Sequence, residues 1–368
     1  MKATQQLHEL GQSLWLDNIT RGILDDGTLQ RHISELSVTG LTSNPTIFDR
    51  AIQNGDLYDD AIRRKAAEGS SGEALFFELA IEDLVRAADL FRPVHDRTGG
   101  IDGWVSLEVS PLLANDAAGT IRAADELYGR AQRPNLLIKI PGTPEGCVAI
   151  ERSIYGGVPV NVTLLFSAAQ YIAAAESYMR GIERRIAAGF DPRIGSVASL
   201  FISRWDVAVK DTAPAMLRNR LGIAIARRVY REYRNLLASP RWRALAAAGA
   251  RPQRLLWAST STKDPDARDT LYVEALAAPD TIDTIPERTL AAFADHGRVE
   301  GGMPPDGGDA EAVLAEFTRA GIDDAALAAR LQLEGAAAFE ASWKDLLARV
   351  AAKCATLAQP DRAAVGKP

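Results

Sequence analysis

The chain has 368 residues, of which 47% are hydrophobic and 24% are charged, so it is long enough to bury a large apolar core. Its formal net charge of −6 at pH 7 gives the chain as a whole no attraction to nucleic acid or to an anionic membrane surface. No uninterrupted apolar run approaches the length that spans a bilayer, so the sequence argues against a membrane-spanning protein.

Short apolar runs alternate along the chain with longer stretches whose apolar residues recur at helical spacing. A short apolar run bounded by turn residues predicts a buried strand, and the helical spacing predicts amphipathic helices between the strands. The predicted strands are Leu14–Ile19, Ser37–Ser43, Gly103–Val109, Leu136–Ile140, Pro159–Leu164, Val197–Ser203, Leu255–Ser259 and Thr281–Ile285. The predicted helices include Glu73–Leu90, Ala117–Ala131, Ala168–Ala187, Leu221–Ala238 and Pro286–Asp295.

The alternation of eight predicted strands with helices indicates an α/β fold with parallel strand pairing, and the count fits a closed (β/α)8 TIM barrel. A doubly wound open sheet is the alternative. Against it, no glycine-rich dinucleotide fingerprint follows any of the strands, and no P-loop pattern occurs in the sequence. We therefore predict a single barrel domain over residues 1–368.

The C-terminal part of the chain departs from this alternation. A loop rich in glycine and proline, Gly301–Gly308, precedes helical stretches at Ala310–Ala320 and Asp323–Leu357. We predict that residues 301–358 form a loop and additional helices packed on the barrel, and that residues 359–368 form a frayed tail. The amphipathic spacing of the last helix allows it to cover a pocket or to form a subunit contact, so a monomer and a homodimer are both open.

A single lysine, Lys139, lies within the apolar run Leu136–Ile140, which ends at the turn residues Pro141 and Gly142. Side chains alternate across a strand, so Lys139 shares a face with Leu137 and Pro141. An amine in a poorly solvated place loses basicity because desolvation disfavours the ammonium form, and a neutral amine is a nucleophile. The alternative is a lysine at a strand edge whose head group reaches solvent. Lys139 by itself does not decide between the two.

Polar residues recur at alternate positions near the carboxyl ends of several predicted strands, although strands of a parallel sheet are normally apolar on both faces. If the apolar alternates face the helices, the polar side chains point into the barrel at its catalytic end, and Lys139 faces them across one pocket. The polar positions on the first five strands are Asp17 near the end of the first, Thr42 and Asn44 at the second, Ser106, Glu108 and Ser110 at the third, and Asn161 and Thr163 at the fifth. On the sixth strand, Val197, Ser199, Phe201 and Ser203 form one face.

Each of these residues also has a purely structural explanation. Asp17 or Asn44 in isolation is more often a helix cap or a turn residue than part of a site. Glu108 is harder to explain in this way, because a carboxylate within an apolar strand is rarely buried without a partner. An ion pair with Lys139 would account for both residues, and such a pair is also one way in which a catalytic lysine is arranged. Independent accidents would not place polar ends of five strands on one face, so a functional site is the better interpretation.

The residues around the strand ends form short motifs in a fixed order. They are L-W-L-D-N-I, G-L-T-S-N-P-T-I-F, V-S-L-E-V-S-P, L-L-I-K-I-P-G-T-P-E-G, V-N-V-T-L-L-F-S, S-L-F-I-S-R and L-W-A-S-T-S-T-K-D-P. Together they resemble the transaldolases, from about residue 14 to residue 300, and most resemble the longer bacterial subgroup with an extended carboxyl end. The resemblance implies a (β/α)8 transferase of the pentose phosphate pathway. Such an enzyme moves a dihydroxyacetone unit, converting sedoheptulose 7-phosphate and glyceraldehyde 3-phosphate reversibly into erythrose 4-phosphate and fructose 6-phosphate.

The resemblance implies Schiff-base chemistry. Lys139 would attack the C2 carbonyl of the ketose and form an iminium, and Asp17 would deprotonate the C4 hydroxyl so that the C3–C4 bond breaks. Glu108, with Thr163, would hold a water that carries protons while the imine forms and hydrolyses. No metal or organic cofactor is implied, because the iminium itself is the electron sink.

The same resemblance implies substrate-binding roles for the remaining positions. Asn44 and Asn161 would hydrogen-bond the hydroxyls of the bound three-carbon unit, and Ser199 would line that pocket. Arg204 fits the phosphate-binding arginine of the family, and Ser259 fits its serine partner.

The second cation of the phosphate site departs from the family pattern. Many members carry an arginine two positions beyond the serine, where this chain has Ser261. Lys263 is the nearest cation, and we hypothesise that it takes this role, although a point charge cannot make the bidentate contact of a guanidinium. For Arg204 the structural alternative is a solvated ion pair, with Asp206 as the partner.

Three functional classes compete for this site. The first is the transferase, and the second is a lyase of the fructose 6-phosphate aldolase type on the same scaffold. Related aldolases carry a tyrosine where this chain has Phe201. A phenol could position a water or proton to quench the carbanion and a phenyl ring cannot, so Phe201 favours transfer. The third class is a non-catalytic sugar-phosphate-binding barrel, which the joint presence of the catalytic positions disfavours.

The remaining sequence features concern the cellular setting. The two cysteines, Cys147 and Cys354, do not form a disulfide framework, and Met1–Ala3 leads into a polar stretch without the apolar core of a signal peptide. We expect a cytoplasmic protein with phosphorylated ketose and aldose substrates and with no nucleic-acid or membrane partner. The histidines lack the spacing of metal ligands, in agreement with a site without metal; they are His8, His32, His95 and His296.

Overall fold

A closed barrel of parallel strands forms the centre of the computed structural model, which describes residues 1–358. The strands are β1 (Ser13–Leu16), β2 (Val38–Thr42), β3 (Val105–Glu108), β4 (Leu136–Pro141), β5 (Val160–Leu165), β6 (Ser196–Phe201), β7 (Gln253–Ala258) and β8 (Thr281–Ile285). Each strand pairs in parallel with the next, and β8 also pairs with β1, which closes the cylinder. The predicted (β/α)8 TIM barrel is therefore confirmed, and the open-sheet alternative is wrong.

Helices follow the strands and surround the barrel. They are α1 (Ala3–Glu9), α2 (Arg21–Asp25), α3 (Thr28–Leu36), α4 (Pro45–Gln53), α5 (Asp59–Ala67), α6 (Gly72–Arg97), α7 (Ala117–Ala131), α8 (Pro144–Gly156), α9 (Ala168–Ala187), α10 (Ser203–Val209), α11 (Leu221–Ala238), α12 (Pro240–Ala247), α13 (Leu271–Ala275), α14 (Glu287–His296), α15 (Ala310–Arg319) and α16 (Asp324–Leu357). Their apolar faces and the strands form one core cluster of buried residues. In the part of the chain that the structure describes, no helix combines the length and apolarity needed to cross a membrane.

Each predicted strand overlaps an observed strand, although several ends differ. The predicted strand Val197–Ser203 ends at Phe201, because Ser203 is the first residue of α10. Similarly, Ser37 precedes β2 instead of belonging to it, because its backbone is left-handed at φ +56° and caps α3. Strand ends are set by local backbone geometry and by pairing partners, which the apolar pattern alone does not encode.

The register of the barrel aligns the polar positions of three neighbouring strands. Glu108 on β3 is paired with Lys139 on β4, and Lys139 is paired in turn with Asn161 on β5. Residues in register on neighbouring strands point to the same face of a sheet, so these three side chains lie at one level of the barrel interior. Thr163 lies nearer the carboxyl end of β5, beside Pro141.

The C-terminal helices lie against the barrel. Helix α15 packs on α11, and the long helix α16 contacts α4, α5, α6 and β5. On α16, Gln332 donates through Nε2 to the carbonyls of Gly142 and Leu164, at 3.0 Å each, beyond β4 and near the end of β5. Helix α16 therefore reaches the carboxyl rim of the barrel. The predicted tail at residues 359–368 lies outside the described residues, and a single domain over residues 1–368 stays a prediction.

Candidate active site

A cavity of about 280 Å³ opens at the carboxyl ends of the barrel strands. Nine of the predicted site residues line it, so the structure brings most of the predicted set together. They are Asp17, Asn44, Lys139, Thr163, Ser199, Phe201, Arg204, Ser259 and Lys263. The other two predicted residues, Glu108 and Asn161, are buried and contact residues of the lining.

Lys139 points into the barrel and is held by two contacts. Its Nζ lies 3.3 Å from Glu108 Oε2 and donates a hydrogen bond of 3.2 Å to the carbonyl of Ser43. The side chains of Lys139 and Glu108 are each only 7% exposed. The alternative of a lysine at a strand edge that reaches solvent is therefore wrong, and the ion pair expected from the sequence is present.

Glu108 can accept the proton that Lys139 must lose to become a nucleophile. Burial raises the pKa of the Glu108 carboxyl, although the neighbouring Lys139 opposes this rise. A buried charged pair has lost its hydration, so transfer of the proton from ammonium to carboxylate yields two neutral groups that are cheaper to bury. The pair thus provides a route to an uncharged amine inside the barrel.

Asp17 is partly buried and is oriented by a chain of two threonine hydroxyls. Thr42 Oγ1 donates to Asp17 Oδ1 at 2.9 Å and lies 2.7 Å from Thr284 Oγ1. Since the single hydroxyl proton of Thr42 goes to Asp17, Thr284 must donate to Thr42. Burial raises the pKa of Asp17, against the opposing effects of Lys139, Thr42 and Lys263. The cap of the following helix α2 is Thr20, so Asp17 is not the helix cap that it could have been.

Asn44 caps the following helix and also lines the cavity. Its Oδ1 accepts a hydrogen bond of 3.1 Å from the backbone N–H of Ile47 and so caps α4. The same side chain lines the cavity. Its amide nitrogen has no hydrogen-bond partner within residues 1–358, which leaves two donors for a ligand.

Asn161 and Ser199 form a fixed network at the base of the site. Asn161 donates through Nδ2 to Ser106 Oγ at 3.0 Å, and Ser199 Oγ donates to Asn161 Oδ1 at 2.7 Å. This network sets the orientation of the Asn161 amide. Thr163 Oγ1, by contrast, is buried without a hydrogen-bond partner in the described part of the chain. A buried hydroxyl is rarely left in this state, so Thr163 is suited to bind a water or a substrate hydroxyl.

Arg204 is held by aromatic rings. Its Cζ lies 5.2 Å from the ring centroid of Phe201 and 5.8 Å from that of Phe339. Among the described residues no carboxylate oxygen forms an ion pair with Arg204 within 4.0 Å. The suggested pair with Asp206 is wrong, because that carboxylate accepts hydrogen bonds from the backbone at Leu221 and Gly222, where α11 begins. Arg204 therefore keeps its donors available to an anion in the cavity.

The loop after β7 supplies the other candidates for anion binding. Ser259 has a left-handed backbone at φ +59°, and its Oγ lies 2.9 Å from Ser203 Oγ. Lys263 is exposed and donates through Nζ to Ser261 Oγ at 2.8 Å. The ammonium of Lys263 thus lies beside Ser261, the position two residues beyond Ser259.

Several lining residues are not indicated as site residues by the sequence, among them Thr284, Arg50 and Phe339. Thr284 occupies an alternate position near the end of β8, which is the signal that marked the other strands and could have identified it. Arg50 on α4 and Phe339 on α16 also line the cavity. They belong to helices, and no periodicity along a helix indicates which distant strand end it will contact.

Known proteins resemble this chain over almost its whole length. A family model described as Transaldolase/Fructose-6-phosphate aldolase matches residues 14–350. A protein named Transaldolase from Thiobacillus denitrificans is 46% identical over 358 residues, covering 95% of this chain and 100% of the relative. Proteins of the same name from Arthrobacter sp. and Thermobifida fusca are 46% and 44% identical, covering 94% and 95% of this chain and 96% and 98% of the relatives.

Proposed function

The chain belongs to the transaldolase/fructose-6-phosphate aldolase family, and we propose that it is a transaldolase that uses Lys139 as its nucleophile. Its substrates are sugar phosphates. The reaction reversibly converts sedoheptulose 7-phosphate and glyceraldehyde 3-phosphate into erythrose 4-phosphate and fructose 6-phosphate in the cytoplasmic pentose phosphate pathway. The observation that carries this proposal is a buried lysine, paired with Glu108, in a cavity also lined by Asp17 and Arg204.

Imine formation begins when Glu108 takes a proton from the Lys139 ammonium across 3.3 Å. The neutral amine attacks the C2 carbonyl of the ketose, and the resulting carbinolamine loses water to give a protonated iminium. The proton that the departing hydroxyl needs is returned from Glu108 through a water bound at Thr163. The unpartnered hydroxyl of Thr163 supports this role.

Carbon–carbon cleavage follows from the position of Asp17. Its carboxylate accepts the proton of the C4 hydroxyl, the C3–C4 bond breaks, and its electron pair moves into the iminium to give an enamine. The aldose leaves with a new carbonyl group at its first carbon. The raised pKa of Asp17 makes it a stronger base than an exposed aspartate, and the hydrogen bond from Thr42 fixes its orientation.

Transfer requires that the three-carbon enamine survive until an acceptor aldehyde arrives. Hydrogen bonds from the Asn44 amide, and from the Asn161–Ser199 network, hold its hydroxyls. The apolar Phe201 ring lines the same cavity and has no proton to donate to the enamine carbon. This favours transfer over the release of free dihydroxyacetone.

The products distinguish transfer from lysis. With fructose 6-phosphate and erythrose 4-phosphate, we expect sedoheptulose 7-phosphate and glyceraldehyde 3-phosphate in equal amounts, measured by mass spectrometry. With fructose 6-phosphate alone, we expect a burst of glyceraldehyde 3-phosphate limited to the concentration of active sites. Continuous release of dihydroxyacetone without an acceptor would show a lyase, and no conversion of either mixture would contradict the proposed function.

Phosphate recognition is assigned to Arg204, Ser259 and Lys263. We expect that Lys263→Ala raises the KM for fructose 6-phosphate about two- to fivefold, because an exposed cation makes a modest ion pair, while kcat changes little. Steady-state kinetics of the transfer reaction measure both constants. Arg50→Ala is the parallel variant, since Arg50 is the other exposed cation in the lining that sequence reasoning missed. An unchanged KM in Lys263→Ala with a raised KM in Arg50→Ala would move the role to Arg50.

A further inference from the structure

Helix α16 carries one residue into the cavity. Gln332 ties the helix to the barrel rim, and about two helical turns later on the same face lies Phe339. Further along, Trp343 packs on Phe76 and Phe77 with ring-centroid distances of 5.0 and 5.5 Å. Phe339 is thus held between two fixed points of one helix.

Contacts between α16 and α4 add to this anchoring. Thr46, itself part of the cavity lining, donates to Ser342 Oγ at 3.1 Å, and Arg349 donates to Asp49 at 2.5 Å. Because Asn44 is the N-cap of α4, the helix that supplies Phe339 is in direct contact with the helix that Asn44 caps. The position of Phe339 over the cavity is therefore set by packing on both sides.

Close approach of α16 to Arg204 depends on a glycine. A Cβ at Gly335 would lie 3.0 Å from Leu164 Cδ2 and 3.4 Å from Arg204 Nη1. Glycine is unfavourable inside a helix, but here the missing side chain lets the helix backbone approach the guanidinium. The backbone at Gly335 and the ring of Phe339 therefore both lie against Arg204, on the side that faces α16.

We propose that Phe339 is a positioning residue whose ring, packed edge-on against that of Phe201 at a centroid distance of 6.4 Å, forms with it one aromatic wall that holds the Arg204 guanidinium, and that Phe339 thereby sets the affinity for the phosphate of the sugar substrate. Both ring distances, 5.2 and 5.8 Å, lie within the reach of a cation–π contact. Such contacts fix a guanidinium without consuming its hydrogen-bond donors, whereas an ion pair would occupy them. Burial lowers the pKa of Arg204, in keeping with a cation that is partly shielded from water.

A competing role exists for the same ring. Its centroid also lies 5.6 Å from Lys139 Nζ, so Phe339 could act on the reacting amine instead. The two roles separate kinetically. An effect through Arg204 changes the affinity for phosphate and leaves the chemical steps intact, whereas an effect through Lys139 changes kcat for any ketose.

The test compares Phe339→Leu, which removes the ring and keeps an apolar side chain, with Phe339→Tyr, which keeps the ring. We expect Phe339→Leu to raise the KM for fructose 6-phosphate and the inhibition constant of inorganic phosphate by the same factor, about five- to thirtyfold, with kcat within about twofold. Phe339→Tyr should remain near the wild-type values. Leu333→Ala, at a 73% exposed position of the same helix, is the control for general effects on α16.

A double-mutant cycle makes the test specific. In an Arg204→Ala background we expect Phe339→Leu to change neither constant further, because the cation on which the ring acts is gone. A lower kcat with an unchanged phosphate inhibition constant would overturn the proposal, as would an equal loss in both backgrounds. The inference depends on the proposed function, but its failure is distinguishable, since failure of that function would appear as no transfer by the wild-type protein.

Discussion

Replacement of Lys139 by methionine should lower kcat/KM for transfer on the order of 10⁴-fold or more, the scale of losses when a covalent nucleophile is removed. Methionine fills a similar volume but cannot form an imine. The variant should still fold, because Glu108 is left in a site that raises its pKa, and it can bury itself as a neutral acid. Product formation is measured with fructose 6-phosphate and erythrose 4-phosphate.

Two further variants control this result. Lys139→Arg keeps the positive charge beside Glu108 but cannot supply a neutral amine, so it should be as inactive as Lys139→Met. Lys344→Met removes a lysine on α16 whose side chain is 66% exposed, and it should retain wild-type activity. Substantial transfer by Lys139→Arg would mean that the lysine acts as a charge and not as a nucleophile.

Replacement of Asp17 by asparagine should separate imine formation from cleavage. We expect kcat to fall about 10²- to 10⁴-fold, the usual contribution of a general base, because Asp17 is the only carboxylate that lines the cavity within residues 1–358. Attack by Lys139 depends on Glu108 and should continue. Reduction with borohydride in the presence of fructose 6-phosphate should therefore trap a six-carbon adduct on Lys139, whereas the wild-type protein traps mainly the three-carbon unit.

The size of the trapped adduct is what tests the role of Asp17. Asp60→Asn changes an aspartate whose side chain is 95% exposed, and it should behave as the wild type in both activity and adduct. If Asp17→Asn trapped no sugar at all, Asp17 would be needed for imine formation. If it trapped the three-carbon unit at the normal rate, cleavage would depend on another base.

Much of the barrel could be predicted because parallel strands buried on both faces are continuous apolar runs. Against that background Lys139 and Glu108 stood out, since a charge inside such a run needs a partner. The register then placed the two side by side, as their alternate positions had suggested. Helix α7 has the predicted bounds, and it begins at the N-cap Asp116, whose side chain accepts from Gly119.

Features that depend on long-range packing could not be predicted. The amphipathic spacing of α16 allows it to cover a pocket, but nothing near Phe339 in the sequence indicates a contact with Arg204, which appears only in the structure. The sequence allows Asn44 to be a helix cap or a substrate-binding residue. Only the structure shows that the side chain that caps α4 also lines the cavity. Lys263 is the cation nearest to Ser261 in the sequence, and the structure adds Arg50, on α4, as a second candidate for the same role.

The central claim is that Lys139 is the residue that forms a covalent bond with the ketose. Borohydride reduction of the wild-type protein with fructose 6-phosphate, followed by mass mapping of its peptides, tests this claim directly. We expect a dihydroxyacetone-derived adduct on Lys139 together with released glyceraldehyde 3-phosphate. An adduct on a different lysine, or an unmodified Lys139 in a protein that still performs the transfer, would contradict it.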